Sequence, residues 1–257
     1  MSSADLALVV VAHPDDEIVF FGALIRDLSR AGVRVQVICA TGHFGSAQLT
    51  STRRAEFQRA CWQCGAQGRH LGFPDNAEAL PVEELEAELA KVARRCDWSV
   101  VCTHGVWGEY GHRHHRDTCL AVHRVFGRRV LSLAGPFAPE RSITLSSSEF
   151  EAKRRIAAGA YLSQPFAADW CSREERFARV PPEAVAVLAR VANGETPQAR
   201  TPMAVEIQRL ACASLAAFES GSFAFAEVAS IPAGIWRPAH DLFAQRLRAF
   251  VTAGPSQ

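Results

Sequence analysis

The sequence predicts an α/β fold: a mostly parallel sheet with helices on both faces, followed by a mainly helical C-terminal extension. Three observations lead there. Short apolar runs bounded by polar residues alternate with segments of helical periodicity, the signature of βαβ units. The two densest polar clusters each follow an apolar run. Beyond Arg179 the strand-like runs stop, and Pro181-Pro182 opens a stretch of helical segments.

The first run, about Ala7 to Ala12, reads as a buried strand that delivers His13, Asp15 and Asp16 into the turn after it. Pro14 disfavours the helical region for His13 and suits the first turn of a helix through Ile18, Phe21, Leu24, Ile25 and Leu28 to Arg30. A second strand is expected at Val33 to Ala40, then a loop from Thr41 to Ser46 and a helix from about Thr52 to Cys64. Arg69 to Phe73 is a short apolar step before a turn at Pro74-Asp75-Asn76. Pro81 to Arg95, acidic at its start and basic at its end, reads as a capped helix. Trp98 to Cys102 is the next strand and opens into the second polar cluster, Thr103 to His115. A helix from residue 112 to 126 would let His112 and His115, three apart, share a face, with His114 pointing elsewhere. Strands at about Arg129 to Leu133 and Ser142 to Leu145 and a helix from Ser147 to Leu162 complete a unit spanning residues 1 to 180. In the extension, residues 181 to 257, helices are expected at Ala184 to Val191, Pro202 to Phe218 and His240 to Val251.

The chain has 257 residues, of which 48% are hydrophobic and 21% charged, enough apolar material for a sizeable core. Its 28 basic and 27 acidic residues nearly cancel, which gives no reason to expect a nucleic-acid or membrane partner. No signal peptide or membrane-length apolar run is visible, so a cytoplasmic location and reduced cysteines are expected for the eight present. Cys61-Trp62-Gln63-Cys64 has no second CxxC to complete a zinc ribbon and reads as small buried residues on a helix.

Two histidines and a carboxylate with open coordination positions suit catalytic zinc, or ferrous iron in an oxygenase. His13 and Asp16 come from one turn and His115 from a facing helix, leaving Asp15 beside the metal but not on it. Such a site would activate water for hydrolysis of an amide or ester, with Asp15 taking the proton and His112 serving the oxyanion or the leaving amine. His43 and His104 follow strands on the same side and could support a ligand, and Glu17 reads as a helix-start acid or ligand support.

These residues resemble the PIG-L, or LmbE-like, zinc-dependent N-deacetylases. Ala12-His13-Pro14-Asp15-Asp16-Glu17 reproduces the family's AHPDDE motif, and Tyr110 to His115 is similar to its YGHPDH motif. Weaker likenesses are Arg53-Arg54-Ala55-Glu56, Leu71 to Asp75, and Ser163-Gln164. The resemblance covers about residues 6 to 180 and implies a Rossmann-like sheet. It also implies that His13, Asp16 and His115 hold Zn2+, or Fe2+ or another divalent metal in its place, and that Asp15 is the general base. Tyr110 and His112 would then stabilise the oxyanion, and Arg53 and Asp75 would contact a sugar. The chain departs from the motif at Arg113-His114, where the family has Pro-Asp. An acid that would hold His112 charged is thereby missing, a gap that Glu109 or Asp117 could fill.

The residues themselves point to metal-assisted amide hydrolysis; the resemblance implies removal of an N-acetyl or other N-acyl group from a small amino sugar or its glycoside, with thiol-cofactor and antibiotic biosynthesis among the settings it suggests. Alternatives are an amidase of another N-acyl substrate such as a thiol conjugate, a non-haem Fe(II) oxygenase, and a non-catalytic metal-binding protein. Trp107, Phe44 and Trp170 are candidates for shaping the pocket, and a homo-oligomer is left open.

Overall fold

The structure, a computed structural model, describes residues 5–195, 204–219 and 230–253. A seven-stranded sheet runs in the order β3-β2-β1-β4-β5-β7-β6. Its strands are β1 (Leu6–Val11), β2 (Arg34–His43), β3 (Ala66–Pro74), β4 (Val100–Thr103), β5 (Val130–Leu133), β6 (Arg141–Thr144) and β7 (Glu174–Ala178). The first five are mutually parallel, and β7 runs antiparallel between β5 and β6. The chain winds outward from β1 to β3, then crosses back to β4 on the other side of β1. The carboxyl ends of β1 and β4 thus flank the switch point of the sheet, where open α/β sheets form their binding crevice.

Alternation along β1 builds both layers. Ala7, Val9 and Val11 enter a core with α1 (Asp16–Val19), α2 (Gly22–Arg30), α3 (Ala47–Gln63), α6 (Ser147–Ala160) and α7 (Ala167–Trp170). Leu8 and Val10 enter the opposite core with α4 (Val82–Ala93) and α5 (Arg113–Phe126). A third core joins Cys119 of α5 and the Val106-Trp107 loop to α8 (Pro182–Ala192), α9 (Ala204–Glu219) and α10 (Ala233–Ala253). Each fully buried side chain such as Leu188 or Leu247 contributes about 1.5–3 kcal/mol to that contact. No helix among the described residues is long and apolar enough to cross a membrane.

Three expectations need correction. The helix foreseen from Ile18 to Arg30 is broken at Phe20-Phe21, because the Glu175 carboxylate, reaching from β7, accepts the Ala23 and Leu24 N–H groups at the start of α2. Strand β2 continues through Thr41-Gly42-His43 rather than ending at Ala40, and a side chain at Gly42 would strike the backbone of Gly72 on β3. Strand β7 was not foreseen, since a charge at an inward position hides its alternation.

That inward charge is matched. Lys153 of α6 is fully buried, and its Nζ donates to Glu175 Oε1 at 2.7 Å and to the Val19 and Ser172 carbonyls at 2.8 Å each. The pair fixes α1 and the start of α2, and so the turn that carries Asp15 and Asp16. We predict that Lys153→Met, which strands a buried carboxylate, lowers stability to urea by about 3–5 kcal/mol. Arg129→Ala, which breaks the exposed pair with Asp97, should leave the urea midpoint nearly unchanged.

Candidate active site

The turn after β1 is held at every residue. The Ala12 N–H donates to His104 Nε2 (3.0 Å), the His13 N–H to Asp16 Oδ2 (2.7 Å), and the Asp15 N–H to Glu17 Oε2 (3.0 Å). The Pro14 carbonyl accepts from Arg53 Nη2 at 2.7 Å. These bonds keep Asp15 at φ 110°, a region a side-chain-bearing residue seldom occupies, and strain of this kind needs such over-determination. Glu17, which also accepts from the Tyr161 hydroxyl, therefore supports the turn from behind. Burial pushes its carboxyl up to about 8.

The opposite wall comes from the loop after β4 and from α5. Glu109 sits at φ 51° and is almost wholly buried. Its Oε2 accepts from Nδ1 of both His104 (2.9 Å) and His115, while Oε1 accepts the Gly105 N–H. Burial alone would raise this carboxyl, but His104 and His115 bring it down to about 2. His104 thus braces the centre through Nδ1 to Glu109 and Nε2 to the Ala12 N–H, and its Nε2 lies 3.3 Å from Asp16 Oδ2, so that Asp16, His104 and His115 also cluster closely enough to surround an ion. His115, its Nδ1–H likewise committed, turns an Nε2 lone pair inward.

His13 presents its own lone pair to the same point. The Ala77 carbonyl can only accept, so His114 Nε2, 2.8 Å away, carries the proton and His114 Nδ1 does not. His13 Nε2–H donates to that Nδ1 at 3.0 Å, which leaves His13 Nδ1 unprotonated. His13 Nδ1 and His115 Nε2 thus face each other across 3.2 Å, with Asp16 Oδ2 3.4 Å from the first and Asp16 Oδ1 3.4 Å from the second. Ligands about 2.0–2.1 Å from a tetrahedral zinc lie roughly 3.3 Å from one another, so these donors fit such an ion. Two opposed lone pairs beside a carboxylate call for positive charge. Burial disfavours charge on His115, yet Asp16 and Glu109 raise it to about 10, so the position draws in a cation of either kind, proton or metal. The same neighbourhood holds Asp16 well below the usual carboxylate range: burial opposes this, and His115 and His104 overcome it.

Asp15 lies beside this centre, raised well above the ordinary carboxylate range by burial and by Asp16 and lowered in part by Arg53, whose Nη2 is 3.6 Å from Asp15 Oδ2. His112 Nδ1 accepts the His114 N–H at 3.3 Å, so its neutral ring carries the proton on Nε2. Burial, then His115 and His13, keep this ring neutral. Tyr110 packs 5.6 Å from the His112 ring, and burial followed by the charges of Asp16 and Asp15 raises its phenol, which therefore stays a donor. His13, Asp15, Asp16, Tyr110 and His112 line one cavity of about 240 Å³, with Arg53, Asp75, Gln164, Phe166 and Trp170. Among the described residues, Arg53 Nε and Nη1 and Asp75 Oδ1 are buried without a hydrogen-bond partner. The Glu56 carboxylate accepts both the N–H and the hydroxyl of Ser163, which sets Gln164 at the cavity.

All eight residues singled out from the sequence meet here: His13, Asp15, Asp16, Arg53, Asp75, Tyr110, His112 and His115. Three expectations fail in detail. His114 does not point clear of the cluster but backs His13 from outside. Glu109 serves His104 and His115 rather than His112, and Asp117 bonds Arg113 and the Leu80 N–H. Trp107 lies in the core beneath the loop, donating to the Glu109 carbonyl, and Phe44 stacks on Arg53, so only Trp170 of the three aromatics lines the cavity. His43 is exposed. Sequence reasoning also missed His240 of α10, whose Nε2 bonds the Glu109 carbonyl while Ala239 packs against Gly111. No local signal in the extension marks that contact.

Residues 8–126 match the PIG-L family, described as GlcNAc-PI de-N-acetylase. A 1D-myo-inositol 2-acetamido-2-deoxy-alpha-D-glucopyranoside deacetylase of Thermobifida fusca is 28% identical over 165 residues, 51% of this chain and 56% of that protein. The chain thus matches only about half the length of that curated relative. Two solved structures share the fold. The N,N'-diacetylchitobiose deacetylase of Pyrococcus horikoshii aligns with a TM-score of 0.56 at 19% identity, over 70% of this chain and 85% of that one. The 4-carboxy-2-hydroxymuconate hydratase GalB of Pseudomonas putida aligns at 0.54 and 18%, over 65% and 82%. The fold accommodates both deacetylation and hydration, so it does not by itself name a reaction. The motif-bearing segment points to a lineage: residues 8–126, a little under half of the chain, match the PIG-L family model.

Proposed function

We propose that the protein is a zinc-dependent hydrolase that removes the N-acetyl group of a 2-acetamido sugar or of a glycoside carrying one. The observation that carries this reading is the pair of opposed imidazole lone pairs of His13 and His115 beside Asp16, with the unligated carboxylate of Asp15 next to them. The sugar rests on the relative's named substrate and on the cavity's unused polar groups. Arg53 Nε and Nη1 offer donors and Asp75 Oδ1 an acceptor, the pattern a hydroxylated ring can satisfy. Phe166 and Trp170, their centroids 4.5 Å apart and their rings tilted 41° to each other, offer apolar surface to such a ring. We assign the chemistry to residues 1 to 180 and a supporting role to the extension.

His13, Asp16 and His115 would hold a divalent cation, which would supply Lewis acidity to water and to the acyl oxygen. Asp15 takes the proton of the attacking water. The Nε2–H of His112 and the Tyr110 hydroxyl donate to the oxygen that gains charge as the carbonyl carbon becomes tetrahedral. The C–N bond then breaks, and the nitrogen leaves with the proton that Asp15 took from water. Arg53 offsets part of the rise that burial and Asp16 impose on Asp15 and so favours its ionised form.

Acetate release from a panel of free, nucleotide-linked and glycosidic N-acetylated amino sugars tests the reading, with chelator-treated protein as control. Release that disappears with the metal and returns with Zn2+ is expected. Silence across the panel from protein with Zn2+ bound would refute the amino-sugar substrate. Asp15→Asn should lose about 10² to 10⁴ in kcat while retaining the metal, whereas His13→Ala and His115→Ala should lose the metal itself, as read by metal analysis after gel filtration. Asp15 acts only when ionised, so activity falls as pH drops through its pKa. Arg53→Met removes a charge that lowers that pKa, so the acid limb of the kcat profile should move to higher pH, whatever the cation contributes. An unmoved limb would break the link between Arg53 and the base.

A further inference from the structure

We propose that His114 is a positioning residue that sets the tautomer and angle of His13 as a metal ligand, through the relay His13 Nε2–H to His114 Nδ1 and His114 Nε2–H to the Ala77 carbonyl. This rests on the metal centre proposed above and is independent of which substrate is cleaved.

The geometry is specific. His114 and His115 are neighbours at the start of α5, about 100° apart around the helix. The helix therefore straddles the centre: His115 reaches it directly, and His114 passes behind His13 with the two rings nearly parallel, 28° between planes. Both bonds of the relay are short, 3.0 and 2.8 Å, and His114 is buried. The competing acceptor for His13 Nε2–H, Asp75 Oδ1, is at 3.6 Å, beyond hydrogen-bond range. Ala77 lies just past β3, so the relay also ties the sheet edge to the centre.

A metal-bound imidazole needs a partner on its other nitrogen to fix ring orientation, commonly a carboxylate, a carbonyl or water. Here the Ala77 carbonyl acts through an interposed imidazole, that of His114. The arrangement gives direction without adding a negative charge to a site that already contains Asp15, Asp16 and Glu109. The Arg113-His114 dipeptide thus has a use of its own: the second histidine serves His13, not His112.

The two halves of the relay can be separated by two amides. The side-chain carbonyl of Asn overlays Nδ1 of histidine and can accept from His13 without reaching Ala77. The amide nitrogen of Gln overlays Nε2 and can donate to Ala77 without accepting from His13. Zn2+ affinity would be measured for the parent, His114→Asn and His114→Gln by competition with a chromophoric chelator, with the visible absorption of the Co2+-loaded proteins as a second readout. Thermal unfolding of the metal-free proteins reports the fold. We expect His114→Gln to bind Zn2+ about 10–100-fold more weakly than the parent and to alter the Co2+ bands, and His114→Asn to recover most of the affinity. Equal affinities in the two variants, or tighter binding by His114→Gln, would overturn the relay and leave His114 as a brace for the Ala77 turn. A parent protein that binds no divalent cation would instead overturn the metal centre itself.

Discussion

The buried carboxylate of Glu109 is the interaction on which the candidate site depends. It gathers the His104 ring from the end of β4, the His115 ring from α5 and the Gly105 N–H from the loop between them. Uncompensated, a charge so deeply buried would be prohibitive. Three donors make it tolerable, and in return each imidazole is left with one defined tautomer. His104 then has a lone pair for the Ala12 N–H, which locks the end of β1, and His115 has one for the centre. One acid thus joins the two strands at the switch point and aims their side chains at each other.

The extension enters through the same residue. The backbone of Glu109 is left-handed and would relax if free. Its carbonyl is held by Trp107 Nε1 from below and by His240 of α10 from outside, and Gly111 lets α10 approach to contact. Helices α8 to α10 also cover the face of α5 that the sheet does not. The helix bearing His115 is thus packed on both flanks, by α4 and by α8. Residues without catalytic character accordingly set the precision of the site.

Much of this was legible in the sequence because the chemistry is local. His13, Asp15 and Asp16 occupy one turn, and a strand before them with a proline inside them fixes where they point. His112 and His115 follow from helical spacing. What was not legible depends on contacts between distant segments. Glu109, His104 and His240 gain roles only once β4, α5 and α10 are assembled. Helical spacing separated His114 from His115, but could not show that His13 would stand between their reaches. Strand β7 hides for a related reason: Glu175 breaks its apolar alternation, and only the partner Lys153, 22 residues earlier, makes a buried glutamate sensible.

The departure at Arg113-His114 shows how a motif can change without losing its centre. A carboxylate at position 114 would sit beside His112 and favour its charged form. The imidazole there offers His112 only its backbone N–H, and burial keeps His112 neutral. A neutral His112 donates through Nε2–H but cannot neutralise a full negative charge. In the proposed reaction, the electrostatic work of stabilising an oxyanion would then fall more heavily on a bound cation, which would make the orientation of its ligands matter more. In that reading, the side chain at position 114 backs the proposed ligand His13 rather than His112. His114 thereby supports the centre on which a neutral His112 must rely.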